Sequence, residues 1–203
     1  MNDEGVIKFN CQWIKSPPLN GTWIKEITVW RDKLYESGLI GVNGEGIGYG
    51  NMSVRLQQNE FIISGSGTGK LKNLTEEHYA LVTDYNVDEN TLKATGPIIA
   101  SSESLTHAMI YEQGSDINAV IHVHHLKLWK KLLKSLPATD ENIEYGTPEM
   151  AKEIARLFND HKLSQNRIFA MAGHSGGIVC FGKSLREAGD LLFNEIRLLN
   201  NVS

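Results

Sequence analysis

The chain has 203 residues, of which 41% are hydrophobic and 22% are charged. This length and apolar content suffice for one substantial core, so we expect a single domain over residues 1–203. Twenty Lys and Arg residues against 24 Asp and Glu residues give a formal net charge of -4 without a basic run, which argues against nucleic acid or an anionic membrane as a partner.

The cysteine content and the apolar runs indicate the compartment. Cys11 and Cys180 are far apart and offer neither a disulfide framework nor a Cys-based zinc site, so a reducing environment suits them. The N-terminal residues hold no basic segment leading into an apolar one, and no apolar run approaches the ~20 residues that a membrane-spanning helix needs. We therefore expect a cytoplasmic protein that binds no membrane.

The first half of the chain predicts a helix followed by paired strands. Large apolar residues recur at helical spacing from Trp23 to Leu34 and predict an amphipathic helix that ends near Gly38. The glycine-rich loop "GVNGEGIGYGN" then leads into "MSVRL" and "EFIIS", two short segments that predict a hairpin. A second glycine-rich turn, "SGSGTGK", precedes a short helical turn capped by Thr75 and the strand-like "YALVT".

The second half alternates strands and helices. "TGPIIASSESLTHAMIYEQG" predicts a loop that enters a helix at about Glu103, and the short, β-branched "NAVIHVHH" favours a strand. In "YGTPEMAKEIARLFND" a helix begins with Thr147 as its cap, and "RIFAMAGH" and "GGIVCFG" predict two adjacent strands before a closing helix that starts at Ser184. Without repeats or linkers, this order indicates an α/β fold with one mixed sheet flanked by helices.

Two histidines on one strand predict a metal site. His122 and His124 point to the same face because side chains alternate along a strand, whereas His125 points away at the strand's end. A zinc ion needs at least three protein ligands, and His174 in the small-residue turn "MAGHSGG" is the candidate third. The alternative is that these are ordinary histidines with hydrogen-bond partners, which we prefer for the solitary His78, His107 and His161.

The two glycine-rich loops and Glu103 have both functional and plain structural interpretations. Neither loop matches a Walker or dinucleotide-binding motif. "SGSG" and "ASSE" nevertheless offer hydroxyls and backbone amides that suit a phosphate or carboxylate, although a plain tight turn explains either loop equally well. In the structural interpretation, the charge of Glu103 interacts favourably with the dipole at the start of its helix. If that helix begins beside the metal, Glu103 is the natural general acid or base.

Several segments in order, "GYGNMSVR", "FIISGSG", "ASSES", "AVIHVHH", "YGTPEMAKEI" and "MAGHSGGIVCFG", resemble the class II aldolase/adducin family, and in particular its zinc-dependent, fuculose-phosphate aldolase-like members. The resemblance covers roughly Trp30 to Leu198. It implies a three-layer α/β/α fold with a central, mostly antiparallel mixed sheet. It also implies a homotetramer with active sites at the subunit boundaries.

The resemblance also implies which residues form the site. The zinc ligands fall on His122, His124 and His174, with another divalent metal as the alternative. The catalytic glutamate falls on Glu103. The substrate-binding positions fall on Asn51, Ser66, Gly67, Ser101 and Ser102.

The implied activity is that of a lyase or isomerase in carbohydrate metabolism. Zinc binds the oxygens of a small, phosphorylated hydroxy-carbonyl or sugar substrate and stabilises an enediolate, while Glu103 moves the proton. The alternatives are a zinc-dependent dehydratase of a sugar-like phosphate and a non-catalytic, adducin-like interaction module. Retention of all three histidines together with Glu103 favours an enzyme.

Two segments of the chain depart from the family's pattern. The segment "KKLLKSLPATDENIE" is shorter than its counterpart in sugar-phosphate aldolases, where a tyrosine reaches across the subunit boundary, and no tyrosine matches it here. The loop before Asn51 carries the extra glycines of "NGEGIGYG".

Overall fold

The computed structural model describes residues 6–160 and 162–201, with Lys162 described by its backbone alone. Strands β1 and β4–β10 form one eight-stranded sheet in the order β1-β7-β6-β5-β4-β8-β10-β9, and β2 and β3 form a separate two-stranded sheet. The strands span Asn10–Lys15 (β1), Gly41–Val42 (β2), Gly48–Tyr49 (β3), Asn51–Gln57 (β4), Glu60–Ser64 (β5), Tyr79–Asn86 (β6), Thr91–Gly96 (β7), Ala119–His124 (β8), Ile168–Ala170 (β9) and Gly177–Gly182 (β10).

Six α-helices occur among the described residues and cover both faces of the large sheet. They span Trp23–Glu36 (α1), Ser104–Glu112 (α2), Leu126–Ser135 (α3), Pro148–Asn159 (α4), Lys162–Asn166 (α5) and Leu185–Asn200 (α6). Residues of α2 and α4 share one buried apolar cluster with one face of the sheet, and residues of α1, α3 and α6 share a second cluster with the other face. Apart from the parallel pair β1 and β7, the strands are antiparallel. The predicted three-layer α/β/α fold with a mostly antiparallel mixed sheet is therefore confirmed.

Most predicted elements form where their sequence signals lie. Thr147 accepts a hydrogen bond from the amide of Met150 and caps α4, and Ser184 does the same for Glu187 in α6. Thr75 caps a 3-10 turn before β6 in a capping box with His78. No helix in the described part of the chain is long and apolar enough to cross a membrane.

The structure also contains elements that the sequence analysis did not predict, including α5, the β2 and β3 pair and the three that follow. β1 lies in the polar N-terminal segment and is mostly exposed, β7 follows β6 as a hairpin partner, and α3 begins directly after His125. His125 therefore ends the strand, as expected, and also caps the next helix, since its ring accepts a hydrogen bond from the amide of Leu128 at 3.0 Å. His161 lies outside the described residues.

Candidate metal centre

Three histidines meet at the end of the central strands. His122 and His124 lie on β8, and the register of β8 with β10 places Gly177 opposite His124, so the turn before Gly177 brings His174 to the same place. That turn depends on glycine. A Cβ at Gly177 would lie 2.6 Å from Cδ2 of His174. Gly176 has a backbone φ of +83°, which residues other than glycine rarely adopt.

The geometry of the cluster fits a metal ion. Nε2 of His124 lies 3.2 Å from Nε2 of His122 and 2.9 Å from Nε2 of His174. One nitrogen from each ring lies within 4.8 Å of the others. Two imidazole nitrogens on one tetrahedral zinc ion are about 3.3 Å apart when each bond is about 2.0–2.1 Å long. The three side chains thus present the nitrogen donors at a spacing that a zinc-sized ion requires.

Two of the three histidines are also held in the protonation state that metal binding needs. Burial lowers the pKa of His122 to about 3. Burial also lowers the pKa of His124, and the neighbouring His122 and His174 lower it further. Neutral imidazoles are the metal-binding form, because a protonated ring has no lone pair to offer. At neutral pH His122 and His124 therefore carry the ring lone pairs that a metal ligand needs.

Glu103 lies beside this cluster, immediately before the first residue of α2. Its carboxylate is buried, and Oε2 lies 3.1 Å from Nε2 of His122. Burial raises the pKa of the Glu103 carboxyl, although His174 and a hydrogen bond from Asn51 oppose the shift. Nothing among the described residues donates a hydrogen bond to Oε1 of Glu103. A buried carboxyl with a raised pKa and an unpartnered oxygen is suited to gaining and losing a proton.

Asn51 holds the Glu103 carboxylate in place. The β4 register places Asn51 directly opposite His122, and its Nδ2 donates a hydrogen bond of 2.9 Å to Oε2 of Glu103. Gly50 permits this approach because a Cβ there would lie 3.2 Å from the carbonyl oxygen of His122. One strand pair and one helix start thus determine the relative positions of His122, Asn51 and Glu103.

A polar cavity extends from the histidines to the two loops. An isolated bridge between Gly65 and Ala100 joins the loops, and the amide of Ser66 donates to the carbonyl of Ile99 at 3.0 Å. Among the described residues, nothing accepts a hydrogen bond from the amide N–H of Gly67 or of Ser102. The cavity contains all the predicted substrate-binding positions and most of the other predicted site residues. It is lined by Gly48, Tyr49, Gly50, Asn51, Gly65, Ser66, Gly67, Gly69, Ser101, Ser102, Glu103, His122, Tyr145 and His174.

Arg31 supports the end of the "SGSGTGK" loop, and the sequence analysis did not predict this role. Its guanidinium is fully buried and donates hydrogen bonds to four carbonyl groups at the end of the loop. These acceptors are the carbonyls of Thr68, Gly69, Leu71 and Lys72. The available signal was helical spacing, because Arg31 shares the apolar face of α1 with Ile27 and Leu34, and a charge on a buried face needs partners.

Two tyrosines also belong to the site and were not predicted. The ring of Tyr49 stacks on that of His124 with centroids 5.0 Å apart, and the ring of Tyr145 packs against His174 with centroids 4.7 Å apart. Lys8 lies over the Tyr145 ring, with Nζ 4.3 Å from its centroid. Tyr49 lies in the quoted segment "GYGNMSVR" and Tyr145 in "YGTPEMAKEI". This position within the family motifs was the only signal in the sequence that the tyrosines belong to the site.

His107 proves to be an ordinary buried histidine, as expected for a solitary one. It lies on α2 one turn after Glu103, and its Nδ1 is 2.7 Å from the hydroxyl of Ser53, which is also 2.7 Å from the hydroxyl of Tyr111. Burial lowers the pKa of His107 to about 3, so the ring is neutral. His78 serves in the capping box with Thr75 rather than in the site.

The fold and the cluster together define an α/β protein with a candidate three-histidine metal centre at one end of its central sheet. The sequence model of the class II aldolase and adducin N-terminal domain matches residues 25–196. The chain therefore belongs to that family, which confirms the resemblance drawn from its motifs.

Relatives in this family include proteins with different named activities. The chain is 26% identical to methylthioribulose-1-phosphate dehydratase of Yersinia enterocolitica over 166 residues, which cover 68% of this chain and 73% of the relative. It is 29% identical to L-fuculose phosphate aldolase of Methanocaldococcus jannaschii over 170 residues, which cover 77% and 82%. The crystal structure of L-fuculose-1-phosphate aldolase from Thermus thermophilus superimposes with a TM-score of 0.65 at 21% identity, covering 88% of this chain and 91% of that one.

Proposed function

We propose that the protein is a metal-dependent lyase or isomerase that acts on a small phosphorylated hydroxy-carbonyl compound, with zinc as the metal. The observation that carries the proposal is the convergence of the Nε2 atoms of His122, His124 and His174 beside the buried carboxyl of Glu103. These three histidines would hold the ion. Bound zinc would supply a Lewis acid that polarises the substrate's carbonyl group.

Glu103 is the residue that moves the proton. Burial raises its pKa and so makes the neutral acid easier to form than in an exposed glutamate, and the same group can accept a proton in one step and return it in another. The hydrogen bond from Asn51 occupies Oε2 and leaves Oε1 without a partner among the described residues. We assign the transferred proton to Oε1, because Glu103 lines the cavity and this oxygen has no hydrogen-bond partner among the described residues.

The two loops bind the anionic end of the substrate. The hydroxyls of Ser66, Ser101 and Ser102 and the amides of Gly67 and Ser102 provide donors at one side of the cavity, and phosphate oxygens are strong acceptors. Asn51 has a second polar atom, Oδ1, that is buried without a partner in the described residues and is available to a substrate hydroxyl. Anchoring the phosphate in this way would hold the reacting carbon beside Glu103.

Dehydration of a sugar-like phosphate is the second candidate reaction at the same site. Its support is the similarity to methylthioribulose-1-phosphate dehydratase, which is comparable in extent to the similarity to the aldolase. Water loss would use Glu103 for the same proton abstraction and differ only in the bond that breaks next. A non-catalytic interaction module would give no use to a buried carboxyl with a raised pKa beside a cluster of three histidines.

Three further predictions accompany the proposal. We infer that residues 1–203 form one domain, since a single eight-stranded sheet is built from strands between Asn10 and Gly182. The homotetramer and the cytoplasmic location stay predictions from the family resemblance and the sequence. Light scattering of the purified protein would measure the oligomeric state.

The proposed function is tested by a substrate screen with zinc-loaded protein. L-fuculose 1-phosphate, methylthioribulose 1-phosphate and related pentulose phosphates are incubated with the enzyme, and NMR distinguishes carbon–carbon cleavage, water loss and epimerisation. We expect turnover of at least one phosphorylated compound, loss of turnover after chelation and recovery when zinc is restored. Turnover that survives complete removal of the metal would contradict the proposal, as would no turnover of any hydroxy-carbonyl phosphate.

A further inference from the structure

The extra glycines before Asn51 form a hairpin that places an aromatic ring on the metal cluster. β2 and β3 pair with Gly41 opposite Tyr49, and Tyr49 ends this hairpin immediately before Gly50 and β4. The ring of Tyr49 lies against the ring of His124, with centroids 5.0 Å apart and planes inclined by 27°. The contact is therefore a stacked one between a tyrosine and a proposed metal ligand.

Glycines on three sides make this contact possible. A Cβ at Gly69 would lie 2.5 Å from the carbonyl oxygen of Tyr49, and a Cβ at Gly41 would lie 2.9 Å from its hydroxyl oxygen. A Cβ at Gly48 would lie 2.9 Å from the amide nitrogen of Lys70. The hairpin thus packs directly against the turn at residues 68–70. A side chain at any of these three glycines would displace the hairpin or the Tyr49 ring.

The Tyr49 ring is also held at its far end. Its hydroxyl donates a hydrogen bond of 3.3 Å to the carbonyl of Gly38, at the end of the turn that follows α1. The neighbouring Leu39 accepts a hydrogen bond of 2.9 Å from the amide of His124. The segment from Gly38 to Tyr49 therefore contacts His124 twice, once through its backbone and once through its ring.

The histidines differ in how much support the core gives them. His122 is 1% exposed and is enclosed by the sheet and α2. His124 is partly exposed at the end of β8, and His174 is partly exposed in the turn before β10. A ligand at the end of a strand needs an outside contact to keep its ring oriented, because metal affinity depends on the orientation of each ligand. The stacked face of Tyr49 is such a contact for His124.

We propose that Tyr49 is a positioning residue for His124: its ring fixes the imidazole in the orientation that points Nε2 at the other two histidines. The proposal rests on the proposed metal centre and deepens it. It assigns a role to the glycine-rich hairpin, which would otherwise be an unexplained insertion beside the site.

The test measures the zinc affinity of the full-length protein by competition with a chromophoric chelator. Tyr49→Leu removes the aromatic face, and we expect the zinc dissociation constant to rise about 10-fold, the lower end of the usual effect of a residue that supports a metal ligand. Tyr49→Phe keeps the ring and loses only the hydroxyl, so its affinity should stay within about twofold of wild type. Tyr85→Leu, a tyrosine on β6 away from the cavity, is the matched control and should bind zinc like wild type.

A second variant displaces the ring without changing Tyr49. Gly41→Ala introduces a Cβ that would lie 2.9 Å from the Tyr49 hydroxyl oxygen, so the ring must move from its place. We expect weaker zinc binding in Gly41→Ala and partial recovery in the double variant Gly41→Ala with Tyr49→Phe, because the closest clash is then removed. If Tyr49→Leu does not fold, this pair still decides the question.

The outcomes separate this inference from the proposed function. If wild type binds zinc, and Tyr49→Leu and Gly41→Ala bind it equally well, the positioning role is overturned and the metal centre stands. An equal loss in Tyr49→Phe and Tyr49→Leu would also overturn it, since the hydroxyl and not the ring would then be the cause. If wild type itself binds no zinc, the proposed function fails first, and the positioning role fails with it.

Discussion

The candidate site has two walls that are built in different ways. His122, Asn51 and Glu103 form a buried wall on β8, β4 and the start of α2, where strand register fixes their relative positions. The opposite wall consists of loops: the turn that carries His174, the "SGSG" loop, the "ASS" segment and Tyr145. Regular elements hold side chains more rigidly than turns do, and loops tolerate change more readily.

Under the proposed function, the buried wall performs the chemistry and the loop wall selects the substrate. The buried wall contains the carboxyl with the raised pKa and the most enclosed histidine, which are the groups that require fixed positions. The loop wall contains the hydroxyls and amides that would bind the substrate's anionic end. Relatives of this chain in the same family carry different named activities.

The largest effect is expected on the buried wall. Glu103→Gln keeps the shape of the side chain and its hydrogen bond with Asn51, but the amide cannot transfer a proton. We expect kcat to fall by about 10²–10⁴-fold, the usual contribution of a general acid or base, while zinc content and the melting temperature change little. Steady-state kinetics with zinc-loaded protein measure the effect, and turnover close to wild type would remove Glu103 from its role.

A smaller and more selective effect is expected on the loop wall. Ser102→Ala removes a buried hydroxyl from the proposed phosphate site. We expect KM for a phosphorylated substrate to rise about 10-fold with kcat nearly unchanged, since a hydrogen bond to a charged group is worth about 1.5–3 kcal/mol. The matched measurement uses the same compound without its phosphate. Equal effects on both compounds would show that Ser102 does not contact the phosphate.

The smallest effect is expected from His107, the histidine behind the buried wall, and it is a pH dependence of the free energy of unfolding. The pKa of His107 is about 3 in the folded protein and about 6.5 in an unfolded chain, so below pH 6.5 the unfolded state binds a proton that the folded state does not. The stability that a neutral His107 contributes is complete above pH 6.5 and is lost as the pH falls toward 3. The loss approaches about 1.4 kcal/mol per pH unit.

Comparison of wild type with His107→Gln isolates this contribution. Glutamine keeps a hydrogen-bonding group near Ser53 but does not titrate. Urea unfolding of both metal-free proteins between pH 7 and pH 4 should show wild-type stability falling more steeply, by about 1.4 kcal/mol per pH unit below pH 6. Parallel pH dependences would show that His107 does not remain neutral when folded.

The sequence predicted most directly those parts of the fold and the site that have local signals. The alternation of side chains along a strand placed His122 and His124 on one face, and helix-cap signals located the start of α4 and α6. Glu103 was correctly placed at a helix start. These positions depend on local periodicity, which a single sequence displays directly.

Other features depend on contacts between distant segments, which local patterns do not show. β1 is a mostly exposed edge strand that exists through its parallel pairing with β7. Tyr49 and Tyr145 reach the histidines only because a glycine-rich hairpin and the segment before α4 fold back onto the cavity. Strand alternation and the family resemblance located the histidines, whereas the contact of the two tyrosine rings with them depends on how distant segments fold together.

The central claim is that three histidines hold a metal ion, and metal content per chain tests it most directly. Elemental mass spectrometry of protein purified without a His-tag compares wild type with His174→Ala and with His125→Asn, a neighbouring histidine whose replacement keeps a helix cap. We predict about one zinc ion per chain in wild type and in His125→Asn, and its loss in His174→Ala. Wild-type protein that contains no metal even after zinc is supplied would contradict the account.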